Sequence, residues 1–334
     1  MRNFKKLNLQ FFYSRRTLFD KAVINGINEN FDRTKFVEGD TVILRDTAKK
    51  IKGSRKSLIG PLSKGSKTEN FCGIIYHDSI IGISIRSVIK TNKEKCFTIH
   101  FPTLDEYVSM FSRNTTPIYP KDANTIVALL DLHPYSRILE VGTGNGSLTL
   151  YLARAIYPTG HIQTIDINAE NIRKAQKNIK QYFRGIYYDN ITFNIGSCSE
   201  ILYSLSERVD GIILDLPEPW LELPSIIPKL KLDRFIVCYL PNMTQVLELI
   251  KVIRVKKLKL ATEQVLEIQW RPWEVRSTVI RSKMDENIAF SIDNLVMENK
   301  IPEKALAYVC RPICDNTTGH TAFLVQLKKI DEYI

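Results

Sequence analysis

The sequence has no long apolar runs and few cysteines. No apolar run reaches the roughly 18–20 residues that span a bilayer, so we expect no membrane-spanning helix and no membrane partner. Of the six cysteines, only Cys310 and Cys314 lie close together, without a second pair and without a histidine at zinc-finger spacing. The wide spacing of the cysteines argues against a disulfide framework and against a metal site, and we interpret them as reduced thiols.

Acidic residues are outnumbered by basic ones. The chain of 334 residues has 36 Asp and Glu against 47 Lys and Arg, which gives a formal net charge of +11. A surplus of this size favours a polyanionic partner, with nucleic acid as the first interpretation and a merely basic surface as the alternative. The length suits one large catalytic domain together with a small accessory one.

Acid is absent altogether from residues 1–19. This stretch intersperses basic and apolar side chains, namely Arg2, Lys5, Lys6, Arg15 and Arg16 with Phe4, Leu7, Leu9, Phe11 and Phe12. A basic, amphipathic segment without acid is typical of a mitochondrial transit peptide. We therefore expect residues 1–34 to be such a peptide and the protein to reside in the mitochondrial matrix; a basic RNA-binding tail is the alternative.

Short β-type runs begin at Lys35. They are separated by clusters of Gly, Asp, Asn and Lys, and they predict a small antiparallel, barrel-like β-domain over residues 35–101. The basic stretch 49–67 within it is expected to be a mobile loop, either solvated or in contact with RNA.

From residue 102 onward, strand-like and helical patterns alternate. Strict alternation predicts an α/β domain of Rossmann type, with a parallel sheet covered on both faces. Two later strand-like runs would complete the sheet with antiparallel pairing. We assign residues 102–334 to this domain and interpret the polar segment 277–305 as an inserted loop.

A glycine-rich loop, Gly142-Thr143-Gly144-Asn145-Gly146, lies between a predicted buried strand and a predicted helix. Glycine lets the backbone turn sharply and approach a ligand closely. Asp166 ends the next predicted strand, where a carboxylate can accept hydrogen bonds from both hydroxyls of a ribose. A dinucleotide is the competing ligand, but an acid at Glu140 repels a pyrophosphate and suits the cationic sulfonium of S-adenosylmethionine.

A second motif, Asp215-Leu-Pro-Glu-Pro-Trp220, follows another apolar run. Because ligands in an open α/β sheet meet the carboxyl ends of strands, we expect Asp215 at the mouth of the cofactor crevice. The two prolines stiffen the loop, and Trp220 offers a flat face against which a base can be held. A simple loop cap with a core tryptophan is the alternative.

With these motifs the sequence resembles the tRNA adenine-58 N1 methyltransferases. The resemblance covers about residues 36–276 and 306–328, and it rests on the blocks PTLDEY at 102–107, TPIYPKDA at 116–123, ILEVGTGNGSLTL at 138–150, LDLPEPW at 214–220, DRFIVCYLPNMTQVLEL at 233–249, WEVR at 273–276 and GHTAFLV at 319–325. It implies a class I methyltransferase that uses S-adenosylmethionine and acts on N1 of adenine in tRNA, nearest to the bacterial homotetrameric and mitochondrial forms. A ribosomal RNA substrate, or a non-catalytic RNA-binding or ribosome-assembly protein on the same fold, stays open as an alternative.

The resemblance also implies roles for individual residues. Asp215 is similar to the family's catalytic aspartate, which lies beside the cofactor, and Tyr119 is similar to its active-site tyrosine. Cofactor contacts are implied for Asp166 at the ribose, for Asn194 at the adenine and, at the methionine end, for Glu140, Gly142, Thr143, Gly144, Asn145, Gly146 and Ser147. Contacts with the substrate base are implied for Tyr119, Trp220, Tyr239, Asn242 and Gln245. No metal is expected.

Overall fold

The computed structural model describes residues 34–46, 56–70, 72–113, 115–204, 207–279, 306–313 and 319–331. Nearly all of the expected transit peptide, and residues 280–305 of the expected insertion, lie outside this part of the chain. The chain divides into two compact units. The first holds the described residues up to Pro120 together with Leu132–Val209, and the second holds Lys121–Asp131 and the described residues from Asp210 onward. The domain boundaries expected from the sequence stay predictions.

The described part of the first unit opens with six short strands. They are β1 (Val42–Asp46), β2 (Lys56–Ile59), β3 (Lys67–Asn70), β4 (Gly73–Tyr76), β5 (Val88–Lys90) and β6 (Cys96–His100). Four of them form an antiparallel sheet in the order β2-β1-β6-β5, and β3 and β4 form a separate antiparallel pair. Apolar side chains from both, among them Leu44, Ile75 and Phe97, form one buried core.

Strand β2 lies inside the stretch 49–67, for which the charge pattern predicted a loop. Ile59 pairs with Val42 and is only 2% exposed, and Lys56 forms an ion pair with Glu106 at 2.6 Å. The loop prediction was therefore wrong for Lys56–Ile59. A backbone hydrogen-bond ladder and one apolar side chain in the core outweigh a basic composition. Residues 49–55 of this stretch lie outside the described part.

Two helices follow β6: α1 (Leu104–Met110) and α2 (Pro120–Leu129). Helix α1 begins at a capping box, in which the Thr103 hydroxyl accepts a hydrogen bond from the Glu106 N–H and the Glu106 carboxylate accepts one from the Thr103 N–H. This exchange satisfies two N–H groups at the helix start, so α1 begins at a defined residue.

Strand and helix then alternate in the first unit. The elements are β7 (Arg137–Val141), α3 (Ser147–Ile156), β8 (His161–Asp166), α4 (Ala169–Gln181), β9 (Ile191–Ile195) and α5 (Cys198–Ser204). β8 pairs in parallel with both β7 and β9. Helix α4 buries Ile172, Ala175 and Ile179, which share one face at helical spacing. The predicted alternation is confirmed, and it places the carboxyl ends of three parallel strands at one edge.

The second unit contains the remaining strands and helices. They are β10 (Val209–Leu214), α6 (Leu223–Ile226), β11 (Leu230–Leu240), α7 (Met243–Val255), β12 (Leu260–Glu267), β13 (Trp273–Val279), β14 (Leu306–Pro312) and β15 (Phe323–Lys329). Hydrogen-bonded neighbours follow the order β12-β15-β11-β10, with β15 antiparallel to both β11 and β12, as the sequence predicted for the final strands. β13 and β14 form a separate antiparallel ribbon that reaches Val279, past the expected start of the insertion at 277. No helix in the described ranges is long and apolar enough to cross a membrane.

Candidate functional site

The glycine loop, Gly142–Gly146, joins β7 to α3. Gly142, Gly144 and Gly146 have φ values of 100°, 55° and 80°, in the left-handed region that side chains disfavour. At Gly146 a Cβ would also lie 3.0 Å from the Cβ of Ala175 on α4. The Gly142 N–H donates to the carbonyl of Ile165 at 2.9 Å, which fixes the loop to β8. The backbone conformation therefore favours glycine at all three positions, and at Gly146 close packing against α4 favours it as well.

Glu140 precedes the loop and is fully buried. Its carboxylate accepts hydrogen bonds from the hydroxyls of Thr149 on α3 and Thr164 on β8, each at 2.7 Å. The Thr143 hydroxyl lies 2.6 Å from that of Thr164, so the loop shares this network. These hydroxyl donors satisfy hydrogen-bonding capacity that burial would otherwise leave unmet. The sequence did not indicate the two threonine partners, and a role of Glu140 toward a sulfonium stays a prediction.

Asp166 ends β8 and contacts the same loop. One carboxylate oxygen accepts a hydrogen bond from the Gly144 N–H at 2.9 Å, and the other accepts one from the Asn168 N–H at 2.8 Å. The Asn171 amide also donates, at 3.1 Å, to the oxygen that accepts from Gly144. Asn171 also lies 3.3 Å from the second oxygen, so these contacts occupy about four acceptor positions, and ribose hydroxyls would have to replace the Asn171 amide. A backbone lined by glycine beside this acid fits a nucleoside donor such as S-adenosylmethionine.

A segment before α2 is tied to the glycine loop by asparagines. The Asn145 amide donates to the Thr115 carbonyl at 3.2 Å, and its oxygen accepts from the Ser147 N–H at 3.2 Å. Asn178 of α4 is buried and donates to the carbonyls of Asn145 at 2.9 Å and Ser112 at 3.3 Å. Sequence analysis missed Asn178, although an amide on the apolar face of an amphipathic helix is a usable signal for a buried polar contact.

Two further predicted residues belong to the first unit. Asn194 on β9 is half-buried, and its amide donates to the Thr164 carbonyl at 3.2 Å. Tyr119 lies directly before α2 and is 37% exposed, so its ring is accessible. The contacts implied for these residues, Asn194 with adenine and Tyr119 with the substrate, stay predictions.

In the second unit, the Asp215 loop (Asp215–Trp220) follows β10, whose residues are all buried. Asp215 is half-buried where the strand ends, and Trp220 is half-buried in a 3₁₀ turn that begins at Pro219. The Gln245 amide donates to the Pro217 carbonyl at 2.9 Å, which connects the loop to α7. Gln245 thus contacts the loop that contains Asp215 and Trp220. The substrate contacts implied for these residues stay predictions.

Asn242 and Tyr239 lie beside that connection. Asn242 is the N-cap of α7, and its side-chain oxygen accepts a hydrogen bond from the Gln245 N–H at 3.0 Å. Tyr239, near the end of β11, is almost fully buried. The cap holds the first turn of α7, and with it Gln245, in a defined orientation.

A polar cluster that sequence analysis missed lies in the same unit. The Lys121 ammonium is 3% exposed and donates to the Asp122 carboxylate at 3.1 Å, to the Ile268 carbonyl at 2.6 Å and to the Thr321 hydroxyl at 2.6 Å. The Thr321 hydroxyl in turn donates to Asp122 at 2.7 Å. All three Lys121 donors therefore have partners, as a buried charge requires.

His320 precedes Thr321 and bridges two chain segments. Its Nδ1 lies 2.8 Å from a Glu267 carboxylate oxygen, and its Nε2 lies 2.7 Å from the Pro241 carbonyl. The hydrogen bond to Glu267 and then that to Pro241 raise the pKa of His320, and the hydrogen bond from His320 lowers the pKa of Glu267. Glu267 and Pro241 lie 53 and 79 residues from His320 along the chain, so local sequence patterns do not indicate these contacts.

Several known proteins that are similar to this chain are methyltransferases. The tRNA (adenine(58)-N(1))-methyltransferase TrmI of Thermus thermophilus is 35% identical over 276 residues, which are 82% of this chain and 93% of that protein. The crystal structure of an S-adenosylmethionine-dependent O-methyltransferase from Thermotoga maritima has a TM-score of 0.69 at 24% identity and covers 89% of this chain and 95% of its own. The crystal structure of the tRNA (m1A58) methyltransferase TrmI from Aquifex aeolicus has a TM-score of 0.63 at 24% identity, and the match covers 89% of this chain and 99% of that one.

These likenesses confirm the Rossmann-like class I methyltransferase fold and the resemblance noted in the sequence. The family model described as tRNA methyltransferase complex GCD14 subunit matches residues 96–328, which include both the glycine loop and the Asp215 loop. The chain therefore belongs to the GCD14 family of tRNA methyltransferase subunits.

Proposed function

We propose that this protein transfers a methyl group from S-adenosylmethionine to N1 of adenosine 58 in tRNA. The observation that carries the proposal is a half-buried carboxylate, Asp215, directly after a fully buried strand, in a chain whose glycine loop fits a nucleoside donor. The similarity to TrmI over most of both chains supports the choice of substrate and position.

The chain's own residues have two tasks in this reaction. The backbone of Gly142, Gly144 and Gly146, with the carboxylate of Asp166, would hold the cofactor, which supplies an electrophilic methyl group when bound. Adenine N1 is a weak neutral nucleophile, and methylation leaves a positive charge on the ring. Asp215 accepts a hydrogen bond from the exocyclic amino group, which raises electron density at N1 and stabilises that charge.

The base must also be held. N1 of a stacked base is inaccessible, so adenosine 58 has to leave its stack before transfer. Trp220 has a half-buried ring and Tyr119 an exposed one, and an aromatic ring of either kind can stack on a base. The fixed orientation of Gln245 beside the Asp215 loop then limits how the base can enter.

We also propose that the protein acts in mitochondria as a homotetramer. The acid-free basic segment 1–19 supports import, and the family resemblance supports the tetramer. A two-stranded ribbon is only marginally stable by itself. The β13–β14 ribbon exposes the apolar side chains of Val275 and Tyr308 on one face, and each of them is 64% accessible. This exposure favours burial of that face against a second copy of the chain. Light scattering after size exclusion checks the assembly, and fractionation of cells checks the compartment.

The function is tested with purified full-length protein, labelled S-adenosylmethionine and two tRNA transcripts, one unchanged and one with guanosine at position 58. Mass spectrometry should locate 1-methyladenosine at position 58 of the first transcript and no label in the second. Ribosomal RNA in a parallel reaction tests the alternative substrate. Cofactor binding without transfer to any RNA would instead favour a non-catalytic RNA-binding protein.

A further inference from the structure

We propose that His320 positions the Asp215 loop, acting through the start of helix α7, and that it does so only as the doubly protonated imidazolium. The inference rests on the proposed function and adds a residue to which neither the motifs nor the resemblance assigned a part in the reaction. His320 does not touch the reacting groups in this proposal; it is a positioning residue.

The protonation state follows from the two partners. A carboxylate oxygen of Glu267 and the carbonyl oxygen of Pro241 can only accept hydrogen bonds, and they lie 2.8 and 2.7 Å from the two ring nitrogens of His320. Both contacts are hydrogen bonds only if both nitrogens carry a proton. Neutral imidazole has one N–H, so deprotonation releases either Glu267 or Pro241.

The link to the Asp215 loop runs through consecutive contacts. Pro241 precedes Asn242, which caps α7 by accepting a hydrogen bond from the Gln245 N–H at 3.0 Å. The Gln245 side chain donates to the Pro217 carbonyl at 2.9 Å, two residues after Asp215. Its amide oxygen is buried and has no hydrogen-bond partner among the described residues, so the orientation of the amide depends on that one bond. A shift at Pro241 is therefore passed to the loop.

The groups around His320 favour the imidazolium on balance. Glu267 at the end of β12 favours the cation, Lys121 on α2 opposes it, and Lys121 is itself paired with Asp122. The Phe323 ring of β15 packs against the imidazole with a centroid distance of 4.8 Å. Together these groups raise the pKa of His320. Both hydrogen bonds of His320, to Glu267 and to Pro241, are therefore present below the ordinary histidine pKa near 6.5. One of them is lost as pH rises through the higher pKa in the folded protein.

The test is the pH profile of kcat for wild type and for His320→Gln, with saturating tRNA and S-adenosylmethionine. The kcat of wild type should fall as pH rises through the pKa of His320. Below that pKa, the kcat of His320→Gln should be roughly ten- to a hundredfold lower than that of wild type, which is about what a misplaced catalytic group costs. The variant should show no alkaline fall in kcat. The KM for S-adenosylmethionine should stay unchanged, because no residue of this bridge belongs to the glycine loop. His161→Gln is the matched control, since His161 begins β8 while Asp166 ends it, and it should keep the wild-type profile.

The outcomes separate the inference from the proposed function. An alkaline fall that persists in His320→Gln, or a variant with wild-type kcat, overturns the role of His320. Should His320→Gln fail to fold, His320→Arg keeps a cationic donor and decides the matter: we expect it to remain active without an alkaline fall, and an inactive, folded His320→Arg that binds S-adenosylmethionine overturns the inference. Wild type that methylates no tRNA at any pH refutes the proposed function instead.

Discussion

Replacing Gly146 by alanine tests why the glycine loop needs glycine at its last position. The φ of Gly146 is 80°, and an added Cβ would lie 3.0 Å from the Cβ and 3.1 Å from the Cα of Ala175. Ala175 is fully buried on α4, and its Cα belongs to the helix backbone, so neither atom can move without displacing the helix. The change therefore combines an unfavourable backbone conformation with overpacking.

The two costs can be separated within this chain. A left-handed conformation costs an alanine about 1–2 kcal/mol, and overpacking against a fixed neighbour costs about 1–3 kcal/mol. Gly65 has a similar φ of 73°, but nothing lies within 4 Å of its added Cβ. We expect Gly65→Ala to lower the free energy of unfolding by about 1–2 kcal/mol and Gly146→Ala to lower it by about 2–5 kcal/mol.

Urea unfolding followed by far-ultraviolet circular dichroism measures both variants. Calorimetric titration with S-adenosylmethionine should show weakened binding for Gly146→Ala and unchanged binding for Gly65→Ala, because only Gly146 belongs to the loop. Equal destabilisation of the two variants would refute the packing argument, since the contact with Ala175 would then add nothing.

Three further changes test the remaining polar contacts. Asp215→Asn should lower kcat for tRNA methylation roughly 10²–10³-fold, because an amide stabilises a developing positive charge less well than a carboxylate does. The Kd for S-adenosylmethionine should be retained. Loss of cofactor binding would assign Asp215 a structural role. Asp166→Asn turns an acceptor beside the Gly144 N–H into a potential donor and should raise that Kd roughly tenfold by calorimetry; an unchanged Kd contradicts the contact. Lys121→Met leaves the buried Asp122 carboxylate without its cation and should cost about 3–5 kcal/mol in urea unfolding, most of which Lys121→Met with Asp122→Leu should restore. A neutral single variant would show that this ion pair does not stabilise the fold.

The sequence by itself determined the order of elements in the α/β part. Strand and helix periodicities depend on residues a few positions apart, so the glycine loop between β7 and α3, and Asp215 after β10, could be located without a structure. The charge pattern alone failed at Lys56–Ile59, because what decides that strand is its pairing with β1.

Only the tertiary structure decided which side chains meet. Hydrogen bonds join Glu140 to Thr164, Asn145 to Asn178 and Pro241 to His320, which are 24, 33 and 79 positions apart in the chain. Such pairings follow from how β-strands and helices are placed in space, and no local periodicity encodes a contact between residues so far apart. For the same reason, the protonation of His320 depends on two acceptors that its own sequence neighbours do not supply.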